Sequence, residues 1–571
     1  MSAADLLLPE GTRLLHIGPP KTGSSALQVA MHQLRSELAA HGVHYAGETR
    51  QAYEPAIAVT EKSGQPGRPT PSIAAWEALV AEVRAVDDSM RTVISSEYFA
   101  AATPAQIARI ARDLDPERVH VVRMLRRYDR QLPSYWQQIV SSGIHETPYG
   151  PWLDEILSRE RMGFWRRQSY GAATQRWVEH FGADRVTAVV VDETDHDWLL
   201  RVMERLVGLP VGLLTASADA DSRSLGYGEA EMLRLVCAHV RDNGWRRKIL
   251  PRYLRWGVVP AIRHLPKDPL SGRMAMLSQH QDQVDEIAER EIADLTDLGV
   301  RVVGELDWLR PDRTGPAPLD ASRPTVRVQT PVIAVTSIAD KVARPKVRLL
   351  YLRSKKRPMP RIPPGPTVPA ETVRVQVLAP WQLLVESWQQ HLLERGETPW
   401  AQWLEQHPRT ALAEQTQRVE NALSKRGWRR VLGKAVEIEV VDLFAVGDGR
   451  TLLTWPEAEG VRQLNRASQD WPDERWARHV RDGVVGHLLS VDADRSQGDH
   501  PFPADLADEL ATAGARLAAL LAARRADVSG NIQALSALTH GDAADEPRLS
   551  SAAAAEFLVG ALISTDAGWD L

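Results

Sequence analysis

A chain of 571 residues is too long for one ordinary hydrophobic core at roughly 150 residues per domain, so at least two folded units are expected. With 43% hydrophobic and 25% charged residues it has the balance of a folding globular protein, and a formal charge of -5 gives no global electrostatic reason for nucleic-acid binding. The single cysteine, Cys237, excludes an intramolecular disulfide framework and a cysteine zinc cluster.

Residues 1–12 lack the basic region and apolar core of a secretory signal, and no later stretch reaches the ~18 uninterrupted apolar residues of a membrane span. The sequence therefore predicts a cytoplasmic chain with no integral membrane segment. Residues 14–18 form a short apolar run that ends in Gly18-Pro19-Pro20, and helical spacing of apolar positions follows over 24–39. Further runs at 92–94, 119–125 and 186–191 are short, rich in β-branched residues and separated by helical patterns. That alternation predicts an α/β fold, an open and mainly parallel sheet with helices on both faces.

Three segments at the ends of these strands carry chemistry. The first is His16-Ile17-Gly18-Pro19-Pro20-Lys21-Thr22-Gly23-Ser24-Ser25, between the first strand and its helix. Backbone N–H groups in such a turn, with the positive end of the helix, form an anion cradle. Lys21 adds a mobile cation, and Ser24 and Ser25 add hydroxyl donors. The nucleotide-loop pattern G-x-x-x-x-G-K-[ST] is not matched, because Lys21 precedes Gly23; this argues against an ordinary ATP or GTP site. The second segment, Ser95-Ser96-Glu97-Tyr98-Phe99, follows the run at 92–94. The third is the Arg-rich turn after the run at 119–125, with Arg126, Arg127 and Arg130 followed by Ser134. A guanidinium can grip phosphate by two parallel bonds while a serine hydroxyl contributes another.

Residues 316–369 read as a linker. Basic residues from Lys341 to Arg361 meet no acidic residue, and prolines crowd 358–369. A solvated spacer and a docking strip for anionic lipid or polysaccharide both fit this composition. Around the linker the chain repeats itself. Trp136-Gln137-Gln138 recurs as Trp388-Gln389-Gln390, and Glu146-Thr147-Pro148 with Trp152-Leu153 as Glu397-Thr398-Pro399 with Trp403-Leu404. Thr174-Gln175-Arg176 returns as Thr416-Gln417-Arg418, and the run 186–192 as 436–442. Glu229-Ala230-Glu231 with Arg234 matches Glu457-Ala458-Glu459 with Arg462, and Gly257-Val258-Val259 matches Gly483-Val484-Val485. Six matches in the same order point to duplication.

The segment Pro20-Lys21-Thr22-Gly23-Ser24-Ser25 resembles the P-K-[TS]-G-[TS]-[TS] loop of the sulfotransferases that use 3′-phosphoadenosine-5′-phosphosulfate (PAPS), in sequence and in position after the first strand. The resemblance covers roughly residues 13–309 and implies a sulfotransferase domain at 1–315. It implies that Lys21, Thr22, Gly23, Ser24 and Ser25 hold the 5′-phosphosulfate and that Arg126 and Ser134, at the family's spacing of eight positions after a central strand, bind the 3′-phosphate, with Arg127 and Arg130 near enough to compete with Arg126. Glu97 becomes the candidate general base, with His16 beside the loop as its competitor, and no metal is required. Some members stack adenine on a tryptophan directly after the loop; Ala26 stands there in this chain, so its stacking residue is unassigned.

The implied reaction moves a sulfuryl group from PAPS to a hydroxyl or amine of a small-molecule or glycan acceptor. A carbohydrate or glycosylated metabolite is the first expectation for that acceptor. A non-catalytic protein that binds PAPS or its product, and a P-loop small-molecule kinase, are the competing readings. Residues 370–571 are expected to be a degenerate, non-catalytic repeat. Aligned through Trp136 and Trp388, it carries Leu378 in place of Arg126 and Glu386 in place of Ser134. Its expected role is to pack on the first half as a fused mimic of a homodimer.

Overall fold

The computed structural model describes residues 6–61, 70–159, 162–215, 223–244, 250–268, 270, 274–313, 324–343, 372–377, 379–406, 435–440, 452–491, 501–523, 527–529, 532–536 and 548–563. Two compact units make up the chain. One consists of Met1–Gly226 with Arg273–Ala321, the other of Tyr227–Gly272 with Ser322–Leu571.

The first unit is built on six strands: β1 (Arg13–His16), β2 (Val43–Tyr45), β3 (Arg91–Ser95), β4 (Val119–Leu125), β5 (Val186–Val190) and β6 (Arg301–Val303). Their order is β2-β3-β1-β4-β5-β6, and every neighbouring pair is parallel. This is the open parallel α/β sheet that the alternating sequence pattern predicts. All seven residues of β4 are buried, as expected for a central strand covered on both faces. Its polar members need internal partners. His120 Nε2 lies 2.8 Å from Thr187 Oγ1 of β5, and Arg123 Nη2 donates to the carbonyls of Arg167 (2.8 Å) and Ser169 (2.7 Å). Burial lowers the Arg123 pKa to about 10.

Four helices of this unit matter for the site: α1 (Ser24–Gln33), α2 (Tyr128–Ser141), α3 (Gly171–Phe181) and α4 (Trp198–Val207). Leu27 and Met31 of α1 and Leu200, Met203 and Leu206 of α4 join Leu14, Val93, Val122 and Val189 of the sheet in one apolar core. From β1 the chain passes to β2 and β3 on one side, and β4 then opens the other side. The crevice beyond the carboxyl ends of β1 and β4 is therefore a topological switch point, where open α/β sheets bind ligands. The loop after β1 and Arg126 after β4 both stand there.

The second unit contains a parallel sheet of β8 (Thr372–Val377), β9 (Ala435–Val440) and β10 (Asp527–Ser529), in the order β10-β9-β8. A separate antiparallel pair joins β7 (Thr325–Arg327) to β11 (Arg548–Ser550). Its helices include α5 (Tyr227–Asp242), α6 (Val259–His264), α7 (Gln329–Ala343), α8 (Pro380–Leu393), α9 (Trp455–Ala467), α10 (Gly486–Ser490) and α11 (Ser551–Ile563). Thus β7 and α7 fall inside the proline-rich and basic stretch 316–369. Val332, Val335, Ile338 and Ala339 supply a buried stripe for α7, and Pro331 sits in its first turn, where a missing N–H breaks no intrahelical bond. The stretch 344–371, Leu378, Thr416-Gln417-Arg418 and Asp442 lie outside the described residues. Among the described residues no helix is long and apolar enough to cross a membrane.

In the first unit, Glu204 of α4 is fully buried and accepts hydrogen bonds from the backbone N–H groups of Gly212 (2.9 Å) and Leu214 (2.6 Å). Glu204→Ala would strand both donors. It is predicted to destabilise this unit by about 2–4 kcal/mol, read as a lower urea midpoint. An unchanged midpoint would contradict this role for the carboxylate.

Candidate functional site

The loop between β1 and α1 is shaped by its own carbonyl groups, each of which is tied back into the protein. Gly18 O accepts from Met124 N (2.9 Å), Pro19 O from Thr22 Oγ1 (2.7 Å) and Lys21 O from Arg126 Nη1 (3.0 Å). Pro20 O faces two amides, Gln131 Nε2 at 3.5 Å and Gln168 Nε2 at 3.4 Å. The loop then runs into the start of α1 and its first N–H groups. A helix start leaves these donors without intrahelical partners, and the helix dipole adds positive potential beside them. The turn needs left-handed backbone at Gly18 (φ 76), Lys21 (φ 73) and Gly23 (φ 88). At Gly23 a Cβ would also lie 2.5 Å from Leu199 Cδ1, a side-chain end that can swing aside, so the left-handed backbone is the main demand for glycine there.

Thr22 is buried and spends its hydroxyl hydrogen on Pro19 O, with Ser24 Oγ 3.4 Å away. Its predicted role as a direct anion contact therefore competes with a structural one. Ser24 is buried, Ser25 is exposed and Lys21 is half-buried.

Glu97, the first residue of a short 3₁₀ turn after β3, stands against the loop. A Cβ on Gly18 would lie 2.9 Å from Glu97 Cα and 3.0 Å from Glu97 Cβ. His16 is placed differently: it is completely buried, and burial lowers its pKa to about 4. Its Nδ1 lies 2.8 Å from Ser95 Oγ, which also accepts from Gln28 Nε2 at 3.1 Å. The imidazole is therefore neutral near pH 7 and fixed behind the loop.

Arg126 adjoins the loop through Lys21 O, but its guanidinium also forms a fork with Glu193. Nε donates to Oε1 at 2.5 Å and Nη2 to Oε2 at 2.9 Å. Burial pushes the Glu193 carboxyl up, and the hydrogen bond and charge of Arg126 outweigh this, leaving it below the ordinary value. Arg127 is held by Asp129 (3.2 Å) and Asp312 (3.6 Å) on another side. Ser134 is half-buried in the second turn of α2, and no hydrogen bond joins it to Arg126 or to the loop among the described residues.

The structure thus brings Lys21, Thr22, Gly23, Ser24, Ser25, Arg126 and Glu97 to one crevice, with His16 behind it. Glu193, Gln131 and Gln168 escaped the sequence reading. A separate pocket is lined by Asp129, Arg130, Gln281, Asp285, Asp312 and Arg313; of the residues the sequence singled out it takes only Arg130, the competitor of Arg126.

No family model matches this chain, and no curated protein does. Among solved structures it is similar to a sulfotransferase from Alicyclobacillus acidocaldarius, at 14% identity over 53% of this chain and 99% of that one, with a TM-score of 0.32.

The burial of His16 has a pH signature. A histidine titrating near 6.5 when unfolded and near 4 when folded contributes stability that is complete above pH 6.5 and is lost as the pH falls toward 4. The whole contribution is about 3 kcal/mol. His16→Asn, which keeps a partner for Ser95, is predicted to flatten the loss of stability between these pH values. His120, also lowered to about 4, retains its own share of the slope. An unchanged acid profile in urea titrations of the variant would contradict the assignment.

Proposed function

We propose that the first unit is a sulfotransferase that moves a sulfuryl group from PAPS to a hydroxyl or amine of a small-molecule or glycan acceptor. The observation that carries the reading is the bond between Arg126 Nη1 and Lys21 O, which sets a second cation beside an anion-binding loop at the switch point of the sheet. A ligand with anionic groups at both ends fits such a pair. Bound there, PAPS would supply a sulfuryl group activated by its phosphate leaving group.

The chain's own residues divide the work. The N–H groups at the start of α1 and the hydroxyls of Ser24 and Ser25 hold the 5′ end for in-line attack. The acceptor oxygen forms its bond to sulfur as the bond from sulfur to the bridging phosphate oxygen breaks. Lys21 offsets the negative charge left on that phosphate. Glu97 takes the acceptor's proton, a role supported by its position against Gly18. His16 is the poorer base because its burial in β1 and its bond to Ser95 hold it behind the loop. Arg126 holds the 3′-phosphate after exchanging Glu193 for it, with Ser134 as the second donor.

The fork to Glu193 favours one alternative, a protein that binds such nucleotides under regulation and does not turn them over. Transfer of labelled sulfuryl from saturating PAPS to a panel of acceptors separates the two. An enzyme gives labelled product, and Glu97→Gln lowers turnover by about 10²-fold or more with donor affinity intact. No transfer to any acceptor favours the binding protein. Near-full turnover in Glu97→Gln, together with loss in His16→Asn at unchanged donor affinity, would make His16 the base.

Two substitutions test the nucleotide's far end. Arg126→Ala is predicted to weaken adenosine 3′,5′-bisphosphate by about 1.5–3 kcal/mol and adenosine 5′-phosphate far less. Glu193→Gln, which removes the competing carboxylate, is predicted to tighten the bisphosphate severalfold. Equal losses for both ligands in Arg126→Ala, or weaker bisphosphate binding in Glu193→Gln, would contradict the clamp.

A further inference from the structure

The recurrence in the sequence has counterparts at the level of single hydrogen bonds. Trp136 Nε1 donates to Thr147 O at 3.2 Å, and Trp388 Nε1 to Thr398 O at 3.0 Å. The next residue repeats the pattern: Gln137 Nε2 donates to Leu225 O and Gln389 Nε2 to Leu453 O, both at 2.7 Å. Arg234 forks onto Glu231 at 2.6 and 2.7 Å, and Arg462 onto Glu459 at the same two distances. Strand register agrees as well. Val121 pairs with Val186 across β4 and β5, and their counterparts Val373 and Val436 pair across β8 and β9.

The helices continue the series. Residues 250–264 form one helix with a π-helical stretch at Leu254–Val258, and residues 473–490 form another with a π-helical stretch at Ala477–Val485. These stretches contain Gly257 and Gly483, matched in the sequence. Each half then adds a short strand and a helix, β7 with α7 and β11 with α11, a seventh correspondence that sequence comparison does not reveal.

Within the second unit these segments pack as equivalent pairs. Helix α7 lies on its own half's π-helical stretch and on α6, and α11 lies on its own π-helical stretch and on α10. Across the halves, α11 packs on α5 and α7 packs on α9. The two strands pair antiparallel, with Val326 opposite Leu549 at the centre, so the ladder is centred as a two-fold axis requires. Polar contacts cross the same boundary. Arg548 donates to Asp268 Oδ2 at 2.7 Å and Oδ1 at 3.1 Å, and Ser551 Oγ donates to Gly228 O at 2.7 Å.

We infer that the second half is a diverged copy of the first, and that an arm from each copy (α5, α6, β7 and α7 from one, α9, α10, β11 and α11 from the other) builds an internal dimer interface with pseudo-two-fold symmetry. The partner that each arm fits is the other copy of itself. The chain carries that partner covalently, so its dimer surface is satisfied without a second molecule. This inference is independent of the reaction proposed for the first unit.

The test uses the full chain with a specific protease site inserted within 344–371. After cleavage the two fragments are expected to co-elute at nanomolar concentration with the mass of one intact chain; separation under native conditions would overturn the interface. Isotopically labelled and unlabelled cleaved protein are then mixed, loosened in mild urea and returned to buffer. Native mass spectrometry is expected to find homodimers of the N-terminal fragment beside the exchanged heterodimers, because equivalent arms substitute for one another. Exchange without any such homodimer would overturn the two-fold equivalence. A measurement that needs no cleavage is the pair Val326→Cys and Leu549→Cys. It is expected to form a disulfide within one chain that stays monomeric by light scattering, whereas disulfide-linked dimers of chains would overturn the internal pairing.

Discussion

The inward pull on the carbonyl groups of Gly18, Pro19, Pro20 and Lys21 is the constraint on which the site depends. Pro19 and Pro20 carry no N–H, so carbonyl acceptors outnumber donors in this loop unless they are spent elsewhere. Here Met124 N, the Thr22 hydroxyl, the amides of Gln131 and Gln168 and the Arg126 guanidinium spend the acceptors, while a helix start leaves its first N–H groups without intrahelical partners. These contacts come from β4, from α2 and from the segment before α3, so loop geometry is set by long-range packing. The left-handed turns at Gly18, Lys21 and Gly23 are tolerated because the surroundings hold them.

Electrostatics at the far end of the crevice are finely balanced. Arg126 is oriented by Lys21 O and held by Glu193, so under the proposed function an anion arriving there would replace one carboxylate by one phosphate and gain only the difference. The exchange leaves Glu193 in need of water or a new partner. In the proposed site that balance would favour a dianionic phosphate over a weaker anion and would tie selectivity to Glu193 on the loop after β5.

Much of this was legible in the sequence. Four of the six strands of the first sheet, β1, β3, β4 and β5, announce themselves as short apolar runs because a parallel sheet covered on both faces has no solvent side to alternate with, whereas β2 and β6, three residues each and only partly buried, give no such signal. Pro20-Lys21-Thr22-Gly23-Ser24-Ser25 is legible because its left-handed positions and helix start demand particular residues. The repeat was visible where large or hydrogen-bonded side chains fix geometry, as at Trp136 and Gln137 with Trp388 and Gln389. The inferred repeat gives no sequence signal in β7 with α7 and β11 with α11, which correspond only in their order of strand and helix. Helix α7 (Gln329–Ala343) falls inside the linker expected at 316–369, because the basic run from Lys341 and the prolines at 358–369 dominate that stretch although the apolar spacing of α7 is helical. Glu193 gave no signal, since its partner lies 67 residues away and is brought near only by the pairing of β4 with β5.

The claim that the loop and Arg126 form one nucleotide site is tested most directly by a crystal structure of the full chain with adenosine 3′,5′-bisphosphate. The account predicts the 5′-phosphate on the N–H groups at the start of α1 and on Ser24 or Ser25. It also predicts the 3′-phosphate on Arg126, with Glu193 displaced from its fork. A nucleotide bound elsewhere, or bound at the loop with the fork between Arg126 and Glu193 intact and no contact to the 3′-phosphate, would contradict it.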